Sequence, residues 1–365
     1  MNRYLSDMHI RAYRGLRDVR ISNIGNINVI VGDNNSGKTS VLEAIRISCL
    51  PHNINNIAYV ARQRDVASPF FYRASSYGSL LSALVKRGDQ YYLDIEAFIK
   101  DEVSSIKLNG HVERTILNPD EMEALSSNQK RNMPSEEIDV LTGEIYSVFP
   151  QQNRQLEFYE REVSYFEFHK YKRIQGTLSR SSSIKYISPI DHITSNFPLP
   201  SIRQKDAYYY TIELLKLFDP DVVDVRIDVD DDTNKRVMFI ENKRNGFIPL
   251  SSYGDGTKKV VLFASTIASM DGGILLIDEF ESSIHTKAMD NVFKFLIEVC
   301  QRNHIQLFLT THSQEALDKI IQCCQGRSNL LKIIMLDNDS DRTYARVIDG
   351  QKAFNLRFRN NAELR

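Results

Sequence analysis

Cysteine is scarce. The four cysteines, Cys49, Cys300, Cys323 and Cys324, form no C-x-x-C pair. That leaves neither zinc-site spacing nor a disulfide frame, and they read as free, buried thiols. Long hydrophobic runs are missing: no stretch reaches the ~18 apolar residues of a membrane span. The opening segment, MNRYLSDMHIRAYRG, is polar and lacks the apolar core of a signal peptide, so a cytoplasmic location is expected. Charge of one sign is also missing. The 46 Lys and Arg against 47 Asp and Glu leave a net charge of -1. Bulk attraction to nucleic acid is therefore excluded, and any DNA contact would need a local patch. No H-E-x-x-H, nucleophile elbow, zinc pattern, internal repeat or long low-complexity segment occurs.

What is present suits a folded globular chain. Hydrophobic residues make up 42% and charged residues 25%, enough apolar content for a substantial core. At 365 residues the chain exceeds the usual size of one domain, so one large domain with an insertion, or two domains, is expected.

The strongest signal is VGDNNSGKTS at 31–40. Gly32 to Thr39 fits G-x-x-x-x-G-K-[ST] at every fixed position. An apolar run, Ile27 to Val31, precedes it as a buried strand, and Val41 to Ile45 follows it as a helix. Strand, loop and helix are the context that separates a phosphate-binding loop from a chance match in a Gly/Asn turn. The backbone N–H groups of Asn34, Asn35, Ser36 and Gly37, running on to Ser40, would wrap the phosphates at a helix N-terminus. Lys38 would reach the β- and γ-phosphates and Thr39 would ligate Mg²⁺.

Alternation predicts strands at YLSDMHIRAY, RDVRIS and INVIVG, and again at YYLDIEAFIK and SSIKLNG. Residues 118–180 change character. Ile138, Leu141, Ile145 and Val148 recur at helical spacing, Pro150 breaks the run, and Leu156, Tyr159, Val163 and Phe166 repeat at steps of three and four. This predicts a short helical hairpin, packed on its own domain or reaching toward a partner with anchors such as Phe158, Tyr159 and Phe166. From IKYISP the α/β pattern resumes. AYYYTIELLKLF reads as an amphipathic helix, and VVDVRIDV and KRVMFIE as strands joined by the acidic turn DDDTN. That turn lacks the Gly and terminal Glu of a calcium loop.

Three later stretches complete a site. Gly273 to Glu279, GILLIDE, reads as a buried parallel strand ending in two carboxylates. Asp278 would hold Mg²⁺ through its shell. Glu279 would act as general base on the water attacking the γ-phosphate. QLFLTTHS is a second buried strand, and His312 at its end would bond the γ-phosphate or the attacking water. Ser252 and Gly254 open a helix, KKVVLFASTIASM, as a second anion grip. One molecule has no use for two grips on one γ-phosphate, whereas two molecules head to tail do. Asp337, Asp339 and Asp341 read as a hairpin turn between two strands, not as metal ligands.

The order of phosphate loop, Ser-x-Gly helix start, hydrophobic-Asp-Glu strand and Thr-His-Ser strand end resembles the ABC-type ATPase head. More narrowly it resembles the SMC, RecF and OLD branch. IRAYRGLRDVRI…INVIVGDNNSGKTSVLEAI is similar to the opening of those proteins, and LLIDEFESSIH and QLFLTTHSQEALD to the OLD-like ATPases. The resemblance implies an α/β fold: a P-loop NTPase with an ABC-type head, mixed β-sheets and a helical insertion. The implied division is 1–117 for the N-terminal part of the head, 118–186 for the insertion and 187–365 for the C-terminal part. It also implies ATP and Mg²⁺ sandwiched in a homodimer or higher oligomer, with Ser252 and Gly254 acting on the other copy's γ-phosphate and 281–285 crossing the interface. Tyr253 and Asp255 depart from the usual signature. The lid-loop glutamine is open among Gln63, Gln151 and Gln175, and Arg14 is a candidate to approach the nucleotide.

ATP hydrolysis is the only chemistry with a site in this sequence, and the TOPRIM nuclease that OLD proteins usually append is not expected after His312. The resemblance therefore points first to the ATPase subunit of an antiphage system, with a separate effector and no membrane. A RecF- or SMC-like DNA-clamping ATPase is the second reading, though Arg62, Arg64, Arg73, Lys86 and Arg87 are scattered. A nucleotide-binding scaffold with little turnover is the third.

Overall fold

The computed structural model describes residues 4–50, 54–66, 76–117, 136–150, 159–169, 184–193, 205–229, 236–339 and 342–364. In chain order the N-terminal strands are β1 (Leu5–Tyr13), β2 (Leu16–Ile21) and β3 (Ile27–Gly32). Helices α1 (Lys38–Ser48), α2 (Ile54–Val66) and α3 (Ser76–Ala83) follow. Then come β4 (Val85–Arg87), β5 (Gln90–Ile99), β6 (Glu102–Leu117), β7 (Glu136–Pro150), β8 (Tyr159–His169) and β9 (Ile184–Ile187). The C-terminal part holds α4 (Lys205–Lys216), β10 (Val222–Val229), β11 (Arg236–Asn242), β12 (Gly246–Pro249), α5 (Asp255–Ala268), β13 (Gly273–Ile277) and α6 (Thr286–Arg302). It ends with β14 (Ile305–Thr310), α7 (Gln314–Cys323), β15 (Leu331–Asp339), β16 (Arg342–Asp349) and α8 (Gly350–Phe354).

The site is built on a six-stranded sheet ordered β16-β15-β3-β14-β13-β9. β15, β3, β14, β13 and β9 run parallel, and β16 closes the edge antiparallel. Every residue of β3, β13 and β14 is buried, as expected of parallel strands covered on both faces. The two faces separate by alternation. Ile30, Ile274, Leu276 and Phe308 join a core with α1 and the N-terminal sheet. Val29, Leu275, Ile277, Leu307 and Leu309 pack on α5, α6 and α7. Each fully buried Ile or Leu contributes about 1.5–3 kcal/mol. Helix α1 is buried nearly all round because it lies between the two sheets.

One buried polar group in this interior links two sheets. Gln306 on β14 accepts from the Leu5 N–H at 2.8 Å and donates to the carbonyls of Leu5 and Gly25 at 2.8 and 2.7 Å. It thereby ties the parallel sheet to β1 of the N-terminal sheet, which is seven-stranded and runs β2-β1-β5-β6-β7-β8 with β4 on β5. A three-stranded sheet, β10-β11-β12, packs Val225, Met238 and Ile240 on α4 and α5.

The helical hairpin expected within 118–186 is corrected. β7 and β8 are antiparallel strands that extend the N-terminal meander. Ile138, Val140, Thr142, Ile145, Tyr146 and Val148 are β-branched or aromatic types that favour a pleated surface, and neighbouring strands supply the partners. Gly143 argues the same way. It costs a helix about 1 kcal/mol, while on β7 a Cβ there would lie 2.1 Å from the Asn109 carbonyl of β6. Gln151, Phe158, Gln175 and the turn DDDTN lie outside the described residues. β15 and β16 pair antiparallel from Lys332–Asp349 to Asp339–Arg342, which puts Asp337 and Asp339 on a hairpin. No group of His, Cys, Asp and Glu suited to a metal occurs among the described residues. No described helix is long and apolar enough to cross a membrane.

Candidate active site

The candidate side chains of β3, β13 and β14 gather at the C-terminal ends of these strands, where ligands bind on open parallel sheets. The loop after β3 turns tightly. Asn35 has φ 65° and Gly37 φ 97°, and the Ser36 N–H donates to the Asp33 carbonyl at 3.1 Å. The angle requires glycine, and a Cβ there would also press on the tip of the Leu16 side chain at 2.5 Å. Gly37 caps α1 without a side-chain acceptor, which leaves the first N–H groups of the helix for an anion. The Ser36 hydroxyl is buried and has no partner. Lys38 Nζ donates to the carbonyls of Gly32 and Asp33, each at 2.8 Å. Burial holds its pKa below the ordinary value, opposed by Asp278 and Glu279.

β13 and β14 run in register, with Ile277 beside Leu309, so the acids after one strand meet the threonines ending the other. Asp278 is 3% exposed. One carboxylate oxygen, Oδ1, accepts from Thr310. The other, Oδ2, accepts from Thr39 at 2.9 Å and from Tyr186 at 3.2 Å. Burial raises the Tyr186 phenol pKa far above its ordinary value, and Asp278 adds to this. Tyr186 therefore stays a donor. Two hard oxygens, Thr39 Oγ1 and Asp278 Oδ2, thus face each other, which fits Mg²⁺ with water and phosphate completing its shell. The Glu279 N–H donates to Thr310 Oγ1 at 2.8 Å. Glu279 sits at φ 45°, and its side chain lines the cleft.

That cleft, about 1070 Å³, runs along Asn34 to Ser40 and is bordered by Arg14, Arg64, Glu279 and His312 and by the β15–β16 hairpin. His312 is bound to Glu281: its backbone N–H donates to Glu281 Oε1 at 3.0 Å, and its Nδ1 lies 3.2 Å from the same oxygen. Arg14 lines the cleft and is anchored through Nε to Glu43 at 2.7 Å. Arg64 takes the other carboxylate oxygen at 2.7 Å and also bonds Ser40 at 3.0 Å. Gln63 instead accepts from Arg46.

Ser252 and Gly254 stand apart. Both are exposed and neither lines the cleft. Ser252 ends a short turn, and Gly254 caps α5 in an extended conformation. Tyr253, in place of a glycine, tucks against the core under the three-stranded sheet. Asp255 pairs with Lys258 at 3.2 Å.

Sequence reasoning missed four residues. Thr310 and Tyr186 brace Asp278, and Tyr186 could have been found only by knowing that β9 pairs with β13. Lys259, just over one turn into α5, is fully buried and donates to the loop after β13; a lysine at a core position of an apolar helix was the available signal. His192, on the loop after β9, is 2% exposed, and neither ring nitrogen has a partner. Burial, then the nearby Lys259, lower its pKa.

The match to a family model spans residues 27–318, and its description is "AAA domain, putative AbiEii toxin, Type IV TA system". A curated relative from Helicobacter pylori, "ATP/GTP phosphatase", is 22% identical over 95% of this chain and 96% of its own length. An uncharacterized protein of Methanocaldococcus jannaschii, MJECL11, is 27% identical over 24% of this chain and 77% of its own. Among solved structures, an SMC head bound to the C-winged helix domain of ScpA superposes with TM-score 0.51 and 11% identity, covering 96% of this chain and 100% of that one. An SMC head with an extended coiled coil, bound to a ScpA C-terminal domain derived from Pyrococcus furiosus, gives 0.50 at 10% identity, covering 98% and 99%. At such identities the likeness speaks for the fold, that of an SMC or ABC-type ATPase head. The chain belongs to the AAA-domain family that this model describes and is an ATPase of that type.

Proposed function

We propose that the chain hydrolyses ATP with Mg²⁺ as one half of a nucleotide-gated homodimer, and that the dimer is the sensor or scaffold subunit of an antiphage system controlling a separate effector. The observation that carries the dimer is the split of the site. Lys38, Thr39, Asp278, Glu279 and His312 gather beyond the C-terminal ends of β3, β13 and β14, while Ser252 and Gly254 are exposed just before α5, outside the cleft.

In this reading Lys38 turns from its own loop carbonyls to the β- and γ-phosphates. Thr39 and Asp278 hold Mg²⁺, which neutralises developing phosphate charge when bound. Glu279 takes the proton of the attacking water. His312, aimed by Glu281, donates to the γ-phosphate. Ser252 and Gly254 of a second copy close over the same phosphate. The curated relative named for ATP and GTP hydrolysis, aligned over nearly its whole length, supports the activity. The family description, which names a toxin–antitoxin system, supports the defence role.

Mixing two dead variants tests the shared site. Lys38→Ala and Ser252→Arg chains should each be inactive, and their mixture should recover activity through one intact composite site. No recovery from folded, mixed chains would remove the dimer from the mechanism.

A further inference from the structure

Helix α5 directly follows the Ser252–Gly254 motif and is fastened to the loop that carries Glu279. Lys259 lies just over one turn into the helix. Its side chain is fully buried, and its Nζ donates to the Glu279 carbonyl at 3.0 Å, the Ser282 carbonyl at 2.8 Å and the Ser282 hydroxyl at 2.5 Å. An ammonium has three N–H donors, and all three acceptors lie on this one loop. The helix touches the loop a second time at Gly256, where a Cβ would sit 2.8 Å from the Ser283 carbonyl. The loop has strained points: Glu279 at φ 45° and Ser283 at φ 64°. Non-glycine residues hold such angles only where surrounding contacts over-determine them.

We propose that Lys259 is a positioning residue for hydrolysis: it holds the backbone of Glu279 through Ser282 so that the Glu279 carboxylate faces the attacking water. Lys259 does not touch the nucleotide. It acts through Glu279, so the inference rests on the assignment of Glu279 as the base. Because Ser252 and Gly254 stand just before the same helix, the bond joins the end that, in the proposed dimer, meets a second copy's nucleotide to the base of the chain's own site. A displacement of about 1 Å at a reacting group costs on the order of 10²-fold in rate, and the loss of three bonds to one short loop permits such a displacement.

The test is a double-mutant cycle with nucleotide binding measured alongside. Lys259→Met keeps the length of the side chain and removes its donors. In the otherwise unaltered chain it should lower kcat by roughly 30- to 100-fold and leave ATP affinity within about twofold. Lys259→Arg should recover part of that loss. In a Glu279→Gln background, single-turnover rates should fall no further when Lys259→Met is added. If Lys259→Met does not fold, Ser282→Ala, which deletes one acceptor from the loop, carries the same cycle, with a several-fold loss expected only when Glu279 is present. Equal losses in both backgrounds, or a kcat unchanged in a folded Lys259→Met protein, would overturn the proposal. If Glu279→Gln alone keeps full activity, the base assignment fails instead, and the two failures are thereby told apart.

Discussion

The Thr39 hydroxyl donates to Asp278 Oδ2 at 2.9 Å, across 239 positions of sequence. Two oxygens from two distant motifs meet there at the spacing of a shared cation's ligands. Asp278→Asn and Thr39→Ala should therefore raise the Mg²⁺ concentration needed for half-maximal hydrolysis more than they weaken nucleotide binding without metal. Magnesium titrations of both variants check this, and an unshifted midpoint would place the ion elsewhere.

Glu279 contributes its backbone to the Thr310 bond and leaves its carboxylate in the cleft. Glu279→Gln should bind ATP normally and lose turnover by ~10²-fold or more, the lower range for a positioned base. Separate measurement of binding and single-turnover rate decides it. Full activity in Glu279→Gln would remove it from the role of base.

Glu43 is a structural keystone beside the site. Its carboxylate is 3% exposed and takes Arg14 and Arg64, each at 2.7 Å, and the Tyr13 hydroxyl at 3.0 Å. Removing one member of a buried pair costs about 3–5 kcal/mol because the remaining charges lose their compensation. Glu43→Ala should show that loss in denaturant unfolding, and it should also weaken ATP binding, since both arginines border the phosphate loop.

Activity and stability should respond to alkaline pH with opposite signs. Burial lowers the pKa of Lys259 to about 8 from an ordinary 10.5, against the opposing pull of Glu281, Glu279 and Asp278. His192 faces it from the loop after β9. As pH rises through about 8 the ammonium loses a proton, leaving two donors for three acceptors, so kcat should fall. Lys259→Arg should move that limb to higher pH. For stability, the unfolded chain binds more protons at this group between pH 8 and 10.5, so its contribution to folding free energy rises with pH in that window. Rate profiles and denaturation midpoints across that range check the two signs.

Glycine loop, acid-ended strand and Thr-His-Ser strand end were legible from the sequence alone. Each is a local pattern set by backbone geometry and a few side chains: Gly37 is forced by φ, and Lys38 and Thr39 follow in fixed steps along a helix. β3, β13 and β14 were legible for the same reason, since buried parallel strands are continuous apolar runs. Strands β7 and β8 were not. Ile138, Leu141, Ile145 and Val148 fit a helical period, and only pairing with β6, with Gly143 pressed on Asn109, makes the segment a sheet. Pairing between strands is non-local, so a period read along one segment cannot decide it. The same limit hid Tyr186, Thr310 and Lys259. Each acts through a partner 20 to 92 residues away: Tyr186 and Thr310 on Asp278, Lys259 on Glu279. The order of strands β9, β13 and β14, and the docking of α5 beneath them, decided those meetings.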